Sequence, residues 1–142
     1  MFDNIDIERS LKNAQTSLLI MLLLTIFNVA GYFFTSGFYF PYSAIAPYVL
    51  TDIAFYYQLN VLYVVAAAII AAYVGIGLIA RSKPIWYIAA LILFTIDTIV
   101  LVAWLFLFLS FDIVYIMDIA FHIWVLITLF KGSVAAYRQM IA

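Results

Sequence analysis

One histidine and two aspartates are the residues of this sequence whose type and setting could support chemistry. Asp118 and His122 lie four positions apart in the segment DIAFHIWVL, so a helix would place them on one face. Asp97 lies in another long apolar segment. An ionisable side chain inside a membrane costs about 2.5 to 3.5 kcal/mol on insertion scales, so its presence points to a function or to an internal partner.

The composition is that of an integral membrane protein. Of the 142 residues, 70% are hydrophobic and 9% are charged, whereas soluble domains are about half apolar and about a quarter charged. Cysteine is absent, which excludes disulfide and thiol chemistry. The net charge of -1 provides no basic surface for nucleic acid, so we expect the lipid bilayer, and not nucleic acid, as a partner.

Four apolar segments are each close to the roughly 20 residues that a helix needs to cross a bilayer. They predict an all-α, four-helix membrane bundle that forms a single domain over residues 1–142. The short sequence SFD separates the last two segments, which indicates an antiparallel helical hairpin. The predicted spans cover residues 17–34, 59–80, 85–109 and 113–130.

Residues 38–58 are rich in tyrosine and phenylalanine and contain Pro41 and Pro47. Such rings collect at the membrane–water boundary, so we expect an aromatic extracytoplasmic segment between the first two spans. A helix continuous with the second span from Pro47 onward would be about 50 Å long and would exceed the bilayer. The segment is therefore predicted to form a separate interfacial helix or an outward extension of the span.

The basic residues predict the orientation. With four crossings both termini lie on one side, and every Lys and Arg falls on that side, which the positive-inside rule assigns to the cytoplasm. Residues 1–16 are polar and weakly amphipathic, and we expect them to lie along the inner surface or to form a polar tail. The basic residues are Arg9, Lys12, Arg81, Lys83, Lys131 and Arg138.

Helical arithmetic places several polar residues at similar depth. Asp97 lies about 18 Å from the inner start of its span, His122 about 15 Å from the outer start of the fourth, and Asn28 about 17 Å from the inner end of the first. Tyr115 continues the face of Asp118 and His122 outward. The hairpin can bring these faces together, so Asp97, Asp118 and His122 form the predicted centre, with Asn28 and Tyr115 as supporting hydrogen-bond groups.

Three interpretations of this centre remain open. The polar residues could be hydrogen-bond partners that hold the helices together, each contact contributing about 0.6 to 2 kcal/mol. They could bind and release a proton or cation, as Asp and His do in membrane relays. Asp97, Asp118 and His122 could also ligate a metal such as Zn²⁺, although the sequence contains no HExxH pattern.

The stretches LILFTIDTIVLVAW, DIAFHIWVLITLFKG and FYFPYSAIAPY resemble a group of small uncharacterised four-span membrane proteins of Gram-positive bacteria. The resemblance covers most of the chain and implies a bacterial cytoplasmic membrane, but no activity. It rests on an acidic residue in the third span, a D-x-x-x-H-x-W-x-L segment in the fourth and an outer aromatic segment with prolines. These features are Asp97, then Asp118, His122, Trp124 and Leu126, then Pro41, Tyr42, Pro47 and Tyr48.

The expected function is transport or ion or proton conduction by a small membrane protein without a cofactor. The alternative is a non-enzymatic membrane partner, such as an assembly subunit, an immunity protein or a membrane-acting effector, whose polar residues are structural. A metal-dependent membrane enzyme is the least favoured reading. A homodimer is a companion hypothesis, although we expect the small residues Ala67, Ala71 and Gly75 to pack inside the bundle.

Overall fold

The computed structural model describes residues 4–34, 39–108 and 112–142, which contain five α-helices. Four of them are long and apolar enough to cross a membrane, so the predicted multi-pass helical bundle is confirmed. The predicted break at TSG (35–37) and most of the SFD turn lie outside the described residues. The helices are α1 (Asn4–Phe34), α2 (Ile45–Tyr57), α3 (Asn60–Ser82), α4 (Tyr87–Phe108) and α5 (Ile113–Ile141), with a 3₁₀ turn (Pro84–Trp86) before α4.

The first and last helices are longer than predicted. α1 begins at Asn4 and not at residue 17, and α5 continues to Ile141 and not to residue 130. Residues 4–16 are therefore part of α1 and form neither a separate surface helix nor a polar tail. The two additional helical segments stabilise each other, because the start of α1 packs antiparallel against the end of α5. Both termini consequently lie at the same end of the bundle, called the terminal end below.

Small residues allow α1 and α5 to approach closely. Ala14 is fully buried, and a Cβ atom built on Gly132 would lie 2.5 Å from the Ala14 Cβ atom. Real Cβ atoms do not approach that closely, so only glycine fits at position 132 without a shift of one helix. Close contact between backbones is how membrane helices gain van der Waals energy, since lipid provides no hydrophobic force between them.

We predict that Gly132→Ala lowers the free energy of unfolding by about 1 to 3 kcal/mol, as overpacking of a tight contact does. Gly75→Ala is the matched control, because a Cβ atom there meets nothing within 4 Å. The control should be neutral or stabilising by up to about 1 kcal/mol, the helix propensity of alanine over glycine. Equilibrium unfolding in detergent compares the two variants, and equal effects would contradict the tight α1–α5 contact.

The predicted hairpin of α4 and α5 forms the centre of the bundle. The two helices pack side by side. Buried apolar side chains on the terminal side of Asp97 join them to α1 and α3, and Leu101, on the other side of Asp97, packs against α2. This packing fixes the rotation of α4 and α5 and therefore the direction in which their polar side chains point. The fully buried side chains of the two helices include Phe94, Leu101, Val125 and Leu129.

The segment between α1 and α3 reaches deeper than predicted. Of the two predicted forms the structure has the separate helix, α2, and the C-cap of that helix, Gln58, has a left-handed φ of 55°. However, the backbone N–H groups of Ile45 and Ala46 donate to Asp97, which lies ten residues, or about 15 Å, from the start of α4. α2 therefore begins near the middle of the bundle and runs back toward the end opposite the termini. The segment 39–57 is re-entrant and not merely interfacial.

The stripe formed by Ala67, Ala71 and Gly75 in α3 does not pack inside the bundle. Ala67 and Ala71 are exposed, and a Cβ atom on Gly75 would have open space around it. The prediction of internal packing for this stripe was therefore wrong. The buried residues of α3 are instead Ala66, Tyr73 and Ala80, which lie on a different face of the helix from the stripe.

Candidate functional site

Asp97 connects two helices at the middle of the bundle. Its carboxylate is 2% exposed and accepts hydrogen bonds from the N–H groups of Ile45 (Oδ2, 2.9 Å) and Ala46 (Oδ1, 2.8 Å). These N–H groups belong to the first turn of α2, where an α-helix lacks internal partners and has the positive end of its dipole. Asp97 thus caps α2 from a different helix. The N-cap residue of α2 itself is Ala44, whose side chain cannot accept a hydrogen bond.

The first three backbone N–H groups at the start of α2, which have no acceptor within the helix, all donate to side chains of other helices. The N–H group of Ala44 donates to Thr25 Oγ1 at 2.8 Å, and those of Ile45 and Ala46 donate to Asp97. The fourth position is Pro47, which has no N–H group. An N–H group without an acceptor at membrane depth costs several kcal/mol. A helix can begin here because these hydrogen bonds remove that cost.

His122 is buried beside Asp97, and its two ring nitrogens have different partners. Nε2 lies 3.1 Å from Asp97 Oδ2, and Nδ1 lies 2.9 Å from the backbone carbonyl oxygen of Asp118. A carbonyl oxygen only accepts, so Nδ1 carries a proton. A second proton lies between Nε2 and Oδ2, which gives an ion pair when it is on the ring and a neutral pair when it is on the carboxyl group. Stacking on Phe94, with ring centroids 4.8 Å apart, holds the imidazole in place.

Asp118 lies on the predicted face of α5, one turn from His122, but its carboxylate has other partners. Oδ2 accepts from the Tyr39 hydroxyl at 2.7 Å, and Oδ1 accepts from the Tyr42 N–H group at 3.2 Å. Tyr42 has a φ of 77°, a left-handed conformation that is uncommon for a bulky residue. Asp118 therefore holds the bend of the re-entrant segment, and only its backbone carbonyl contacts the His122 ring.

Asn28 holds the same segment from α1. Its Nδ2 group donates to the Phe40 carbonyl oxygen and to Ser43 Oγ, both at 2.7 Å, and its Oδ1 atom accepts from the Phe40 N–H group at 2.8 Å. The amide side chain thus replaces the hydrogen bonds that an irregular backbone cannot make with itself. The predicted depth of Asn28 agrees with this position, but its partner is the re-entrant backbone and not the Asp97–His122 pair.

Three residues of the hydrogen-bond network were not predicted from the sequence, and one predicted residue, Tyr115, does not take part in the network among the described residues. Thr25, Tyr39 and Ser43 take part in the network, and Thr25 could have been found because it lies one turn before Asn28 on the same helix face. Tyr115 is half-buried and makes no side-chain hydrogen bond within the described part of the chain. Tyr39, supplied by the re-entrant segment, occupies the place beside Asp118 that was expected for Tyr115.

The metal hypothesis finds little support in this geometry. Among residues 4–34, 39–108 and 112–142, no group of three or more His, Asp or Glu side chains is placed to hold a metal ion. The Asp118 carboxylate is engaged by Tyr39 and Tyr42, while Asp97 and His122 bond to each other. The three candidate ligands therefore do not converge on one point.

The Tyr73 hydroxyl adds an unusual polar atom to the core. Tyr73 is fully buried in the apolar cluster that includes Phe94, and its hydroxyl has no hydrogen-bond partner within the described residues. A buried hydroxyl without a partner costs about 1 to 3 kcal/mol.

The chain matches no protein-family model, no curated protein and no solved structure. The chemistry of the site therefore has to be derived from its own contacts. Those contacts define two parts: a proton-sharing pair, Asp97 and His122, and the backbone of residues 39–46, which Asp97, Asp118, Asn28 and Thr25 hold in place.

We predict that Thr25→Val lowers the free energy of unfolding by about 1 to 3 kcal/mol, because the buried Ala44 N–H group loses its acceptor. Thr98→Val is the control, since the Thr98 hydroxyl bonds only to the Phe94 carbonyl oxygen of its own helix. The control should change stability by less than about 0.5 kcal/mol. Thermal unfolding in detergent measures both, and a Thr25→Val variant as stable as the control would contradict the role assigned to Thr25.

Proposed function

We propose that this protein is a small transport or ion-conducting protein in which the Asp97–His122 pair takes up and releases a proton. The observation that carries the proposal is that one buried carboxylate bonds both to the imidazole and to the first turn of α2. Asp and His are the usual elements of intramembrane proton relays. Helix N-termini at mid-membrane depth are, in transporters, typical neighbours of the substrate or ion site.

The shared carboxylate couples the proton to the position of α2. When Asp97 is ionised, its hydrogen bonds to the Ile45 and Ala46 N–H groups are charge-assisted and about twice as strong as neutral ones. A proton on Oδ2 removes that charge and weakens the hold on α2. The proton occupancy of the pair therefore biases the re-entrant segment between a bound and a released position, which is the two-state element that coupled transport requires.

Polar groups extend from the pair in two directions. Toward the end opposite the termini, Asp118 and Tyr39 form a short hydrogen-bonded chain next to the ring, since the Asp118 carbonyl oxygen accepts from His122 Nδ1. Toward the terminal end, the Tyr73 hydroxyl, which has no partner within the described residues, is a buried polar atom in the apolar cluster that includes Phe94. These groups support a proton route that passes through the pair and does not merely end at it.

We further propose that the terminal end of the bundle faces the cytoplasm of a bacterium. All six basic residues belong to the segments at that end, namely the start of α1, the connection of α3 to α4 and the end of α5. The positive-inside rule supports this orientation. The exposed small-residue face of α3, which includes Ala67 and Ala71, is compatible with the homodimer expected from the size of the chain.

The first test is His122→Gln, which removes the titratable ring but leaves the Asp97 carboxylate to cap α2. In proteoliposomes with an internal pH-sensitive dye and an imposed potential, the wild-type protein should carry a proton flux. The variant should reduce that flux at least about 100-fold, the lower end of the contribution of a proton-transfer group. It should still elute as a folded protein on size-exclusion chromatography.

A matched pair of acids controls this experiment. Asp97→Asn should also abolish the flux, whereas Asp112→Asn should not, because Asp112 is an exposed cap of α5 and asparagine caps a helix equally well. A wild-type protein without flux, or a folded His122→Gln variant that conducts normally, would overturn the transport proposal.

A second candidate function is that of a non-enzymatic membrane partner. The observation in its favour is that Asp118, Asn28 and Thr25 are fully occupied in holding residues 39–46, which is a structural task. This function predicts that the protein co-purifies in fixed stoichiometry with another membrane protein and that His122→Gln leaves the complex intact. Mass spectrometry of the mildly solubilised complex tests it, and an isolated protein with proton flux would contradict it.

A further inference from the structure

A cavity of about 920 Å³ lies at the terminal end of the bundle, away from the Asp97–His122 pair. Its walls are the first turns of α1, from Asp6 to Asn13, the terminal half of α4 and the last half of α5. Its volume is in the upper part of the range of about 300 to 1,000 Å³ that ligand pockets occupy. It is therefore large enough for a ligand of substantial size.

The lining of the cavity changes in character along α5. Arg138 and Lys131 lie toward the terminal end, and Arg9 of α1 lines the same cavity, whereas Leu126 and Ile127 lie deeper. From Arg138 to Leu126 is 12 residues, or about 18 Å along the helix, close to the half-thickness of a bilayer. The cavity thus runs about 18 Å along α5, with a basic end and an apolar end.

The charged residues that line the cavity are mainly basic, which favours an anionic ligand. Three of the six Lys and Arg residues of the chain line it, and Asp6 is the one acidic residue among its described lining. This positive excess occurs in a chain whose net charge is -1, so it is local and not a general property of the surface. Ser10 and Asn13, also in the lining, add uncharged hydrogen-bonding groups near the basic end.

We propose that this cavity binds an anionic phospholipid of the leaflet at the terminal end. The phosphate head group lies between Arg9 and Lys131, and an acyl chain follows Leu126 and Ile127 toward the bilayer centre. Basic pockets between membrane helices bind lipid head groups in this way, and each Lys or Arg near the membrane surface adds attraction to an anionic lipid. A soluble anion would leave the apolar part of the cavity without a partner, so the cavity fits a lipid better.

Native mass spectrometry of the detergent-purified protein tests the proposal with defined lipids. Phosphatidylglycerol should remain bound at least about tenfold more tightly than phosphatidylcholine with the same acyl chains, as expected for two Lys or Arg contacts to the anionic lipid. Arg9→Gln combined with Lys131→Gln should remove that preference. Lys12→Gln combined with Lys83→Gln should retain it, because these exposed residues do not line the cavity, although the change in net charge is the same.

Two further measurements separate a lipid from a free anion and from general charge attraction. Thr95→Phe, which places a ring at the deep end of the cavity, should weaken phosphatidylglycerol binding without altering any charge. Inorganic phosphate at millimolar concentration should not displace the lipid. Displacement by phosphate, equal losses in the two double variants, or unchanged binding in Thr95→Phe would each overturn the proposal.

Discussion

A helix begins in the middle of this bundle because the Asp97 carboxylate receives its first N–H groups. Thr25 accepts from Ala44, Asp97 accepts from Ile45 and Ala46, and Pro47 has no N–H group to satisfy. Irregular backbone at membrane depth is tolerated only where protein or water completes its hydrogen bonds. The placement of α2, and with it the enclosure of His122, depends on this carboxylate together with Thr25, Asn28 and Asp118, which hold the residues before α2. The charge of Asp97 is compensated by the helix dipole and by the adjacent imidazole.

The structural role of Asp97 and its proposed role in proton exchange do not compete, because the same charge serves both. A neutral carboxyl group would cap α2 poorly, and an isolated carboxylate would be costly to bury. The imidazole gives the proton a second site next to the carboxylate, because Nε2 lies 3.1 Å from Oδ2, and the proposed exchange moves the proton between these two atoms. A pair built only for packing would not require a titratable ring, since an amide such as Asn28 holds the neighbouring backbone without one.

The sequence predicts the spans and the depth of Asp97, His122 and Asn28, because hydropathy and helical rise determine both. It does not predict the re-entrant segment, since Tyr39 and Tyr42 are as typical of the membrane surface as of a buried bend. It also misses the length of α1 and α5, because the charged residues around Leu11 indicate an aqueous segment, while the close packing of Ala14 on Gly132 exists only in three dimensions. The pairing of Asp118 with Tyr39 depends on that same unpredicted segment.

The cavity proposed to bind lipid and the Asp97–His122 pair lie on different faces of α4. Thr95 lines the cavity and is exposed, whereas Asp97, two residues or about 200° further around the helix, is buried against α2 and α5. A lipid in the cavity therefore contacts the outer side of α4 and the α1–α5 packing, but not the pair. Any effect of lipid on proton exchange has to pass through a shift of whole helices, and the tight contact between Ala14 and Gly132 opposes such a shift.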